Sequence, residues 1–417
     1  MSTADENEVL AWLTSNESHP VINAARNIGT DVAAIANFRS QYPQLPVTLI
    51  SEAITQASLR DRAERRWHES TDFLLTSDGL EQATNPRVTN IHAETITQAF
   101  GPQAHIIDLT CGLGFDSAAF LRAGHRVTAI ESDATIAQLA RHNLATISAG
   151  FEVIHADATD VEIPADVDVI YVDPARRQVD APRDIRGNTR RVLSANDWSP
   201  PWSFITSIAE RTPVLAKVAP GITDDSLGDW DATFISLDGA LVEAMVKSAS
   251  WPNNNYATAR RHAMIIDGHS VVVHDGELTT SARVLGRYLV VPNPALVRAR
   301  NLNIVADAIH GGLVHPEISW LTSDDEQAVN SLTKALPGHA TCFEVLQQST
   351  LHVKNLKADI AKIPHSALTI MTRGVKVDVD SFRKKVIGAT SASAPELVLA
   401  TYRSDGTTPA LLCRRLS

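Results

Sequence analysis

Ile106-Ile107-Asp108-Leu109-Thr110-Cys111-Gly112-Leu113-Gly114-Phe115-Asp116 is the stretch whose reading decides the fold. An apolar run ends in an acid and turns through two glycines. The pattern predicts a strand feeding a helix. A doubly wound α/β fold holds a nucleotide-like ligand in this way, at the carboxyl end of its first strand. Glycine removes the Cβ that would keep the backbone away from such a ligand.

Three more acids follow at predicted strand ends. Arg126 to Ile130 closes on Glu131, where a carboxylate can accept from both hydroxyls of a ribose. Phe151 to His155 is followed by Ala156-Asp157-Ala158, where an acid can accept from an adenine amino group. Val167 to Val172 closes on Asp173-Pro174-Ala175-Arg176-Arg177. A nicotinamide-dinucleotide enzyme would want a third glycine at position 117 to admit a pyrophosphate. The chain has Ser117 there, and Asp116 would repel a phosphate. Helix capping accounts for any one of these acids, since Asp is a good N-cap. It does not account for four in order.

The series resembles the class I S-adenosylmethionine (SAM) dependent methyltransferases, over about residues 80 to 270. Asp108, Gly112 and Gly114 match the first motif, Glu131 the ribose acid and Asp157 the adenine-side acid. Asp173-Pro174 matches the start of the motif beside the methyl group. The resemblance implies a Rossmann-like seven-stranded α/β sheet with SAM as cofactor. It places Asp108, Thr110, Cys111, Gly112, Gly114, Asp116, Glu131, Ser132, Asp157, Ala158 and Asp173 at the cofactor. The segment before strand one often lies over the methionine end in this family, which adds Gln82 and Thr84; a helix cap explains that pair equally well. SAM has no phosphate and carries a positive sulfonium and amine, so acids suit it. Cys111, inside the glycine turn, is expected to contribute backbone.

In this superfamily an Asn or Asp followed by Pro-Pro and an aromatic residue marks methylation of planar amino nitrogens. The acid and the next carbonyl accept from the amino group and aim its lone pair at the methyl. Here Asp173 and Pro174 match, while Ala175 and Arg176 replace the second proline and the aromatic. A guanidinium plane can also stack on a base. Arg176 and Arg177 are therefore expected to contact base or phosphate beside the catalytic Asp173 and Pro174. Uridine C5 methyltransferases with a similar Asp-Pro-Pro-Arg need a cysteine nucleophile in the same domain. Downstream of Asp173 the chain offers only Cys342 and Cys413, both far along it. Direct transfer to a nitrogen such as guanine N2 is the expectation, with no metal. A small-molecule or protein acceptor, or a SAM- or RNA-binding protein without catalysis, are the alternatives.

Residues 176–191 hold six arginines against Asp180 and Asp184, just before Trp198-Ser199-Pro200-Pro201-Trp202. Arginines beside aromatics at the transfer mouth suit phosphates and an unpaired base, so RNA (rRNA or tRNA) is the expected partner. Arg183, Arg186, Arg190 and Arg191 read evenly between substrate contact and pairing with the domain's own acids. Core packing is the expectation for Trp198 and Trp202. The formal net charge of the 417 residues is −11, but it is uneven. Residues 331–417 hold twelve Lys/Arg and six Asp/Glu, a net +6, leaving −17 for the remainder. A basic end on an acidic chain is a candidate polyanion surface or simply a solvated face.

The three cysteines show neither CxxC nor metal spacing. The chain shows no signal-peptide pattern and no 18-residue apolar run. A cytoplasmic protein without membrane contact is expected. Residues 1–80 read as a helical region, with helices from Glu8, over Val21 to Phe38 and over Leu49 to Trp67. Residues 81–270 form the catalytic domain, in which 213–218 is a fifth strand and 233–237 with 261–266 a terminal antiparallel pair. Residues 271–417 read as an α/β accessory domain: a strand at Tyr288 to Val291, helices over Pro294 to Ile309 and Leu351 to Ile363, and a hairpin of Leu397 to Tyr402 with Ala410 to Arg415. Strand–helix alternation with basic residues makes it similar to the THUMP-like domain attached to some bacterial methyltransferases, itself reminiscent of RNA-binding modules.

Overall fold

The computed structural model describes every residue except 1, 2, 27, 30, 68–71, 176–196, 253–260, 269, 276–279, 405 and 417. The chain divides into two compact units. The first holds residues 1–218, 228–230 and 246–255, the second 219–227, 231–245 and 256–417.

The first unit opens with helices α1 (Thr3–Leu13), α2 (Ser18–Ala24), α3 (Val32–Gln41) and α4 (Val47–Trp67). The single helix expected over Val21 to Phe38 is in fact two. Gly29 adopts φ 68°, and the Asp31 carboxylate caps α3 by accepting from the Ala34 N–H at 2.9 Å. Leu49, Ile50, Ala53, Ala57 and Ala63 give α4 its buried stripe. Its Arg60 is buried as well, donating to the carbonyls of Asp72 and Phe73 at 2.5 and 3.1 Å, so the basic turns of this helix brace the chain. Helices α5 (Ser77–Gln82) and α6 (Pro86–Phe100) follow. Pro86 suits the first turn of α6, where no N–H partner is needed, and Asn85 caps it through the Arg87 N–H at 3.0 Å.

Strand and helix then alternate: β1 (His105–Asp108), α7 (Phe115–Arg122), β2 (Arg126–Glu131), α8 (Ala134–Ala145), β3 (Phe151–His155), β4 (Val169–Val172), α9 (Trp202–Ile208) and β5 (Val214–Val218). They pair in the order β3-β2-β1-β4-β5, parallel throughout. β1 and β4 are buried along their whole length, as expected of parallel strands covered on both faces. The order reverses between β1 and β4, the switch point at which such sheets bind ligands. Parallel pairing brings Asp108, Glu131, Asp157 and Asp173 to the carboxyl ends of neighbouring strands.

The second unit contains α10 (Asp224–Leu227), β6 (Asp231–Leu237), most of β7 (Ala240–Lys247), β8 (Arg261–Asp267) and β9 (Ser270–Asp275). The expected antiparallel pairing of 233–237 with 261–266 is overturned: β6 and β8 run parallel. The antiparallel neighbour of β6 is β7, joined to it by Asp238-Gly239 with φ 49° and 83°. A two-residue turn with both φ positive is a hairpin turn, and Asp-Gly is its usual sequence.

A seven-stranded sheet completes this unit. Its strands are β10 (Tyr288–Pro292), β11 (Gly312–His315), β12 (Ile318–Ser323), β13 (Ala340–Thr350), β14 (Leu368–Arg373), β15 (Leu397–Tyr402) and β16 (Pro409–Arg415), in the order β11-β12-β10-β13-β16-β15-β14. The expected hairpin is present, β15 running antiparallel to β16. The helix expected over Pro294 to Ile309 is broken into α11 (Pro294–Ala299) and α12 (Asn303–Ala308), because Arg300 takes the left-handed conformation at φ 62°. Helices α13 (Glu326–Ala335), α14 (Val353–Ile360) and α15 (Val379–Val386) complete the unit. Alternate residues of β15 and β16 enter two different cores. Val398, Ala400, Tyr402, Leu411 and Cys413 join one; Leu397, Leu399, Ala410 and Leu412 join the other with Leu356 of α14 and Val386 of α15. The period of two along a strand produces this split. Among the described residues, no helix is long and apolar enough to cross a membrane.

Candidate active site

The glycine turn after β1 is shaped by two left-handed residues, Gly112 at φ 53° and Gly114 at φ 88°. A Cβ at Gly112 would enter open space, whereas one at Gly114 would lie 3.0 Å from Leu144 Cδ2. The two glycines thus serve different ends: Gly114 lets α7 start close against α8, and Gly112 leaves room beside the backbone. Cys111 donates its N–H to Ile130 O at 2.9 Å. Its thiol is buried and pushed well above the usual range by burial. A thiol held protonated leaves the backbone as its contribution.

Asp108 is fully buried, accepting from the Ser117 hydroxyl at 2.6 Å and the Thr110 N–H at 3.2 Å. Burial pushes its carboxyl up to about 7; the Ser117 hydroxyl opposes the rise and the charge of Asp116 adds to it. Glu131, at the end of β2, accepts from the N–H of Gly112 at 3.0 Å and of Asp133 at 2.8 Å, with the Ser132 hydroxyl at 3.4 Å. One carboxylate therefore joins the glycine turn to the second strand. Asp157 accepts from the Thr159 hydroxyl and N–H at 2.6 and 2.8 Å, bonds that hold its carboxyl below the usual range. It caps the single 3₁₀ turn Ala158–Asp160, so the capping reading holds at this acid, and a carboxylate still has further acceptor sites.

Thr84 and Asp116 meet directly, the Thr84 hydroxyl donating to Asp116 Oδ2 at 2.9 Å. His92 Nδ1 of α6 lies 2.8 Å from Asp116 Oδ1, and the Tyr171 hydroxyl 3.4 Å from the same nitrogen. Burial pushes the Asp116 carboxyl up. The His92 hydrogen bond and charge, the Lys217 charge and the Thr84 hydroxyl outweigh it, and the net direction is down. Gln82 is exposed at the end of α5.

Asp173 follows the last residue of β4. Its N–H donates to the Thr110 hydroxyl at 2.7 Å, and its carboxylate pairs with the Lys217 ammonium. The register aligns Val172 with Ala216, which sets Asp173 beside Lys217 on the neighbouring parallel strand. Ala175 and Ser199 exchange two backbone hydrogen bonds, at 2.8 and 3.0 Å. The chain thus departs and returns at one point beside the site. Arg176 and Arg177, with Arg183, Arg186, Arg190 and Arg191, lie outside the described residues. Trp198 and Trp202 are buried, with ring centroids 5.9 Å apart, and Trp230 lies 5.0 Å from Trp202. They are core, as expected.

Sequence reasoning missed three residues here. Lys217 is the only charged residue of an apolar strand, a signal that was available. His92 was hidden in an ordinary helical pattern. Asn143 of α8 is buried and binds the N–H and carbonyl of Leu74 at 2.7 and 3.1 Å and the Leu113 carbonyl at 3.0 Å. It ties the chain before α5 to the glycine turn. Among the described residues, no group of three or more His, Cys, Asp or Glu is placed to hold a metal ion.

A parallel sheet in the order 3-2-1-4-5, with acids at the four strand ends and a glycine turn after the first, defines a class I methyltransferase domain. A family described as "Methyltransferase domain" matches residues 106–196, and one described as "THUMP domain-like" matches residues 340–415. A Mycobacterium tuberculosis H37Rv protein described as an uncharacterized S-adenosylmethionine-dependent methyltransferase is 29% identical over 324 residues, covering 76% of this chain and 81% of its own. A Porphyromonas gingivalis W83 protein, whose crystal structure is described as that of a "putative methyltransferase", aligns over 97% of this chain and 99% of its own. That alignment has a TM-score of 0.65 at 18% identity, a likeness of fold. The chain carries a SAM-dependent methyltransferase domain and, at its C-terminus, a THUMP-like domain.

The residues present fit SAM. A Cβ at Gly112 would meet no atom within 4 Å, a carboxylate at a strand end such as Glu131 can accept from ribose hydroxyls, and acids suit a cationic sulfonium and amine.

Proposed function

We propose that this enzyme transfers the methyl group of SAM directly to a base nitrogen of RNA, an exocyclic amine such as guanine N2. The observation that carries the reading is Asp173-Pro174 at the end of β4, with Asp173 tied to the glycine turn through Thr110. When bound, SAM supplies the methyl group and the driving force of its sulfonium. Glu131 and Asp157 hold its ribose and adenine, and Asp108 with the glycine turn holds its amino-acid end. The Asp173 carboxylate and the Pro174 carbonyl accept from the amino N–H groups of the base. The nitrogen lone pair is thereby aimed in line with the methyl. In this reading Asp173 also takes the proton that the nitrogen sheds on methylation.

Arg176 and Arg177 contact the base or its phosphate in this reading. Residues 81–270 act as the catalytic domain. Residues 271–417 recruit an rRNA or tRNA through the THUMP-like fold and its basic excess. The test is label transfer from methyl-labelled SAM into total RNA of a strain lacking the gene, with and without ribonuclease. Ribonuclease-sensitive label is expected, and digestion to nucleosides then names the atom. Absence of label in RNA, with SAM binding shown separately, overturns the reading in favour of a small-molecule or protein acceptor.

A further inference from the structure

We infer that Lys217 is a positioning residue for methyl transfer, holding the Asp173 carboxylate toward the acceptor nitrogen. The acceptor's identity rests on the function proposed above; the pairing does not.

Lys217 stands in Val214-Leu215-Ala216-Lys217-Val218, whose four other residues are all buried. Its own side chain is 14% exposed, against 37% for Asp173. An ammonium this hidden needs a partner to offset its desolvation, and Asp173 supplies a carboxylate in contact with it. Strand order makes the arrangement specific. β4 lies between β1 and β5, and Asp173 is braced from both neighbours. Thr110, in the turn after β1, holds its N–H at 2.7 Å, and Lys217 of β5 holds its carboxylate. The residue that faces the acceptor is thus locked to the turn that faces the cofactor.

An ammonium has three donors and no acceptor, so Lys217 cannot receive the amino group of a base. In this inference its effect on the amino group passes through Asp173. Its charge also reaches the buried Asp116, which places it within the field of the acid cluster. A consequence follows for the cofactor. If Asp173 loses its charge, the Lys217 ammonium is no longer offset by that carboxylate at the motif expected beside the sulfonium. S-adenosylhomocysteine lacks the sulfonium charge, so the ratio of its affinity to that of SAM reads this repulsion.

The experiment uses the full-length chain with Lys217→Met, Lys217→Arg, Asp173→Asn and the double variant Asp173→Asn/Lys217→Met. Transfer kinetics are measured on RNA, and SAM and S-adenosylhomocysteine affinities by calorimetry. Lys217→Met is expected to lower kcat about 100-fold with little change in KM for RNA, the cost of a misplaced acceptor. Lys217→Arg should recover to within about tenfold of the parent. The double variant should be no slower than Asp173→Asn, because the two residues act as a unit. Asp173→Asn should weaken SAM relative to S-adenosylhomocysteine by about tenfold, and adding Lys217→Met should restore the ratio. A parental kcat in Lys217→Met overturns the inference, as do losses that multiply in the double variant. An affinity ratio indifferent to both substitutions overturns it as well. If the parent transfers nothing to RNA, the proposed function fails and the affinity ratios decide the role of Lys217 by themselves.

Discussion

Two strand–helix–strand crossovers of this chain are built alike and charged oppositely. In the first unit, β1 ends in Asp108 and turns through Gly112 and Gly114 into α7 before β2. In the second, β14 ends in Arg373 and turns through Gly374, at φ 68°, toward α15 and then β15. Both strand pairs are parallel. Asp378 caps α15 through the Ser381 N–H at 3.2 Å. The Arg403 N–H donates to the Arg373 carbonyl at 2.9 Å. The backbone grammar is shared: strand, positive-φ glycine, helix, parallel strand. The side chains at the strand ends differ in sign and in depth. Asp108 and Asp116 are buried, while Arg373, Lys376 and Arg403 are exposed. Buried acids hold a cationic ligand at a defined place. Exposed cations act over about a Debye length of 8 to 10 Å and weaken with salt. A shared local fold therefore leaves the ligand class to the strand ends.

The acid side breaks hardest at Asp173. Asp173→Ala should lower kcat by on the order of 10³ at saturating SAM, since an oriented acceptor of the transition state is lost; single-turnover rates check it. Next comes the space beside Gly112. Gly112→Leu fills it and, besides the strain of its own left-handed φ of 53°, should weaken SAM about 100-fold by calorimetry. Gly114→Ala instead meets Leu144 and should appear mainly as a lower Tm, about 1 to 2 kcal/mol of strain at a left-handed position. Equal loss of SAM affinity in both would erase the distinction between the two glycines.

Asp108 sharpens the comparison through pH. Burial holds its carboxyl near 7, and a cationic ligand favours the ionised form. SAM affinity should rise by up to tenfold per pH unit below about 7 and level off above it. In Asp108→Asn the profile should be flat across that window. Without ligand the sign reverses. A folded value above the ordinary 3.8 gives this group a stabilising contribution that is full at low pH and lost as pH rises through about 7.

The basic side should respond least. Arg373→Glu or Arg403→Glu should weaken RNA binding about threefold to tenfold and lower the slope of log K against log salt by about 1 each. SAM affinity should stay at the parental value. An unchanged salt slope would remove these arginines from the RNA surface.

By itself the sequence determined the local elements of this protein. An apolar run, an acid and two glycines are contiguous, and so are Asn85-Pro86 at the start of α6 and the Asp-Gly turn between β6 and β7, legible there although unread. Their energetics are local, a left-handed φ or a capped N–H, and a short window holds them. That is why the strand-end acids and the C-terminal hairpin were legible. Tertiary structure decided the rest. Lys217 and Asp173 lie 44 positions apart, and only the placement of β5 beside β4 brings them together. Thr84, His92 and Asp116 meet because α6 packs on α7, and Asn143 reaches both Leu74 and Leu113 from a third helix. The parallel pairing of β6 with β8 likewise depends on which strand takes the neighbouring place. Periodicity reports which face of an element is apolar; it does not report which element that face will meet.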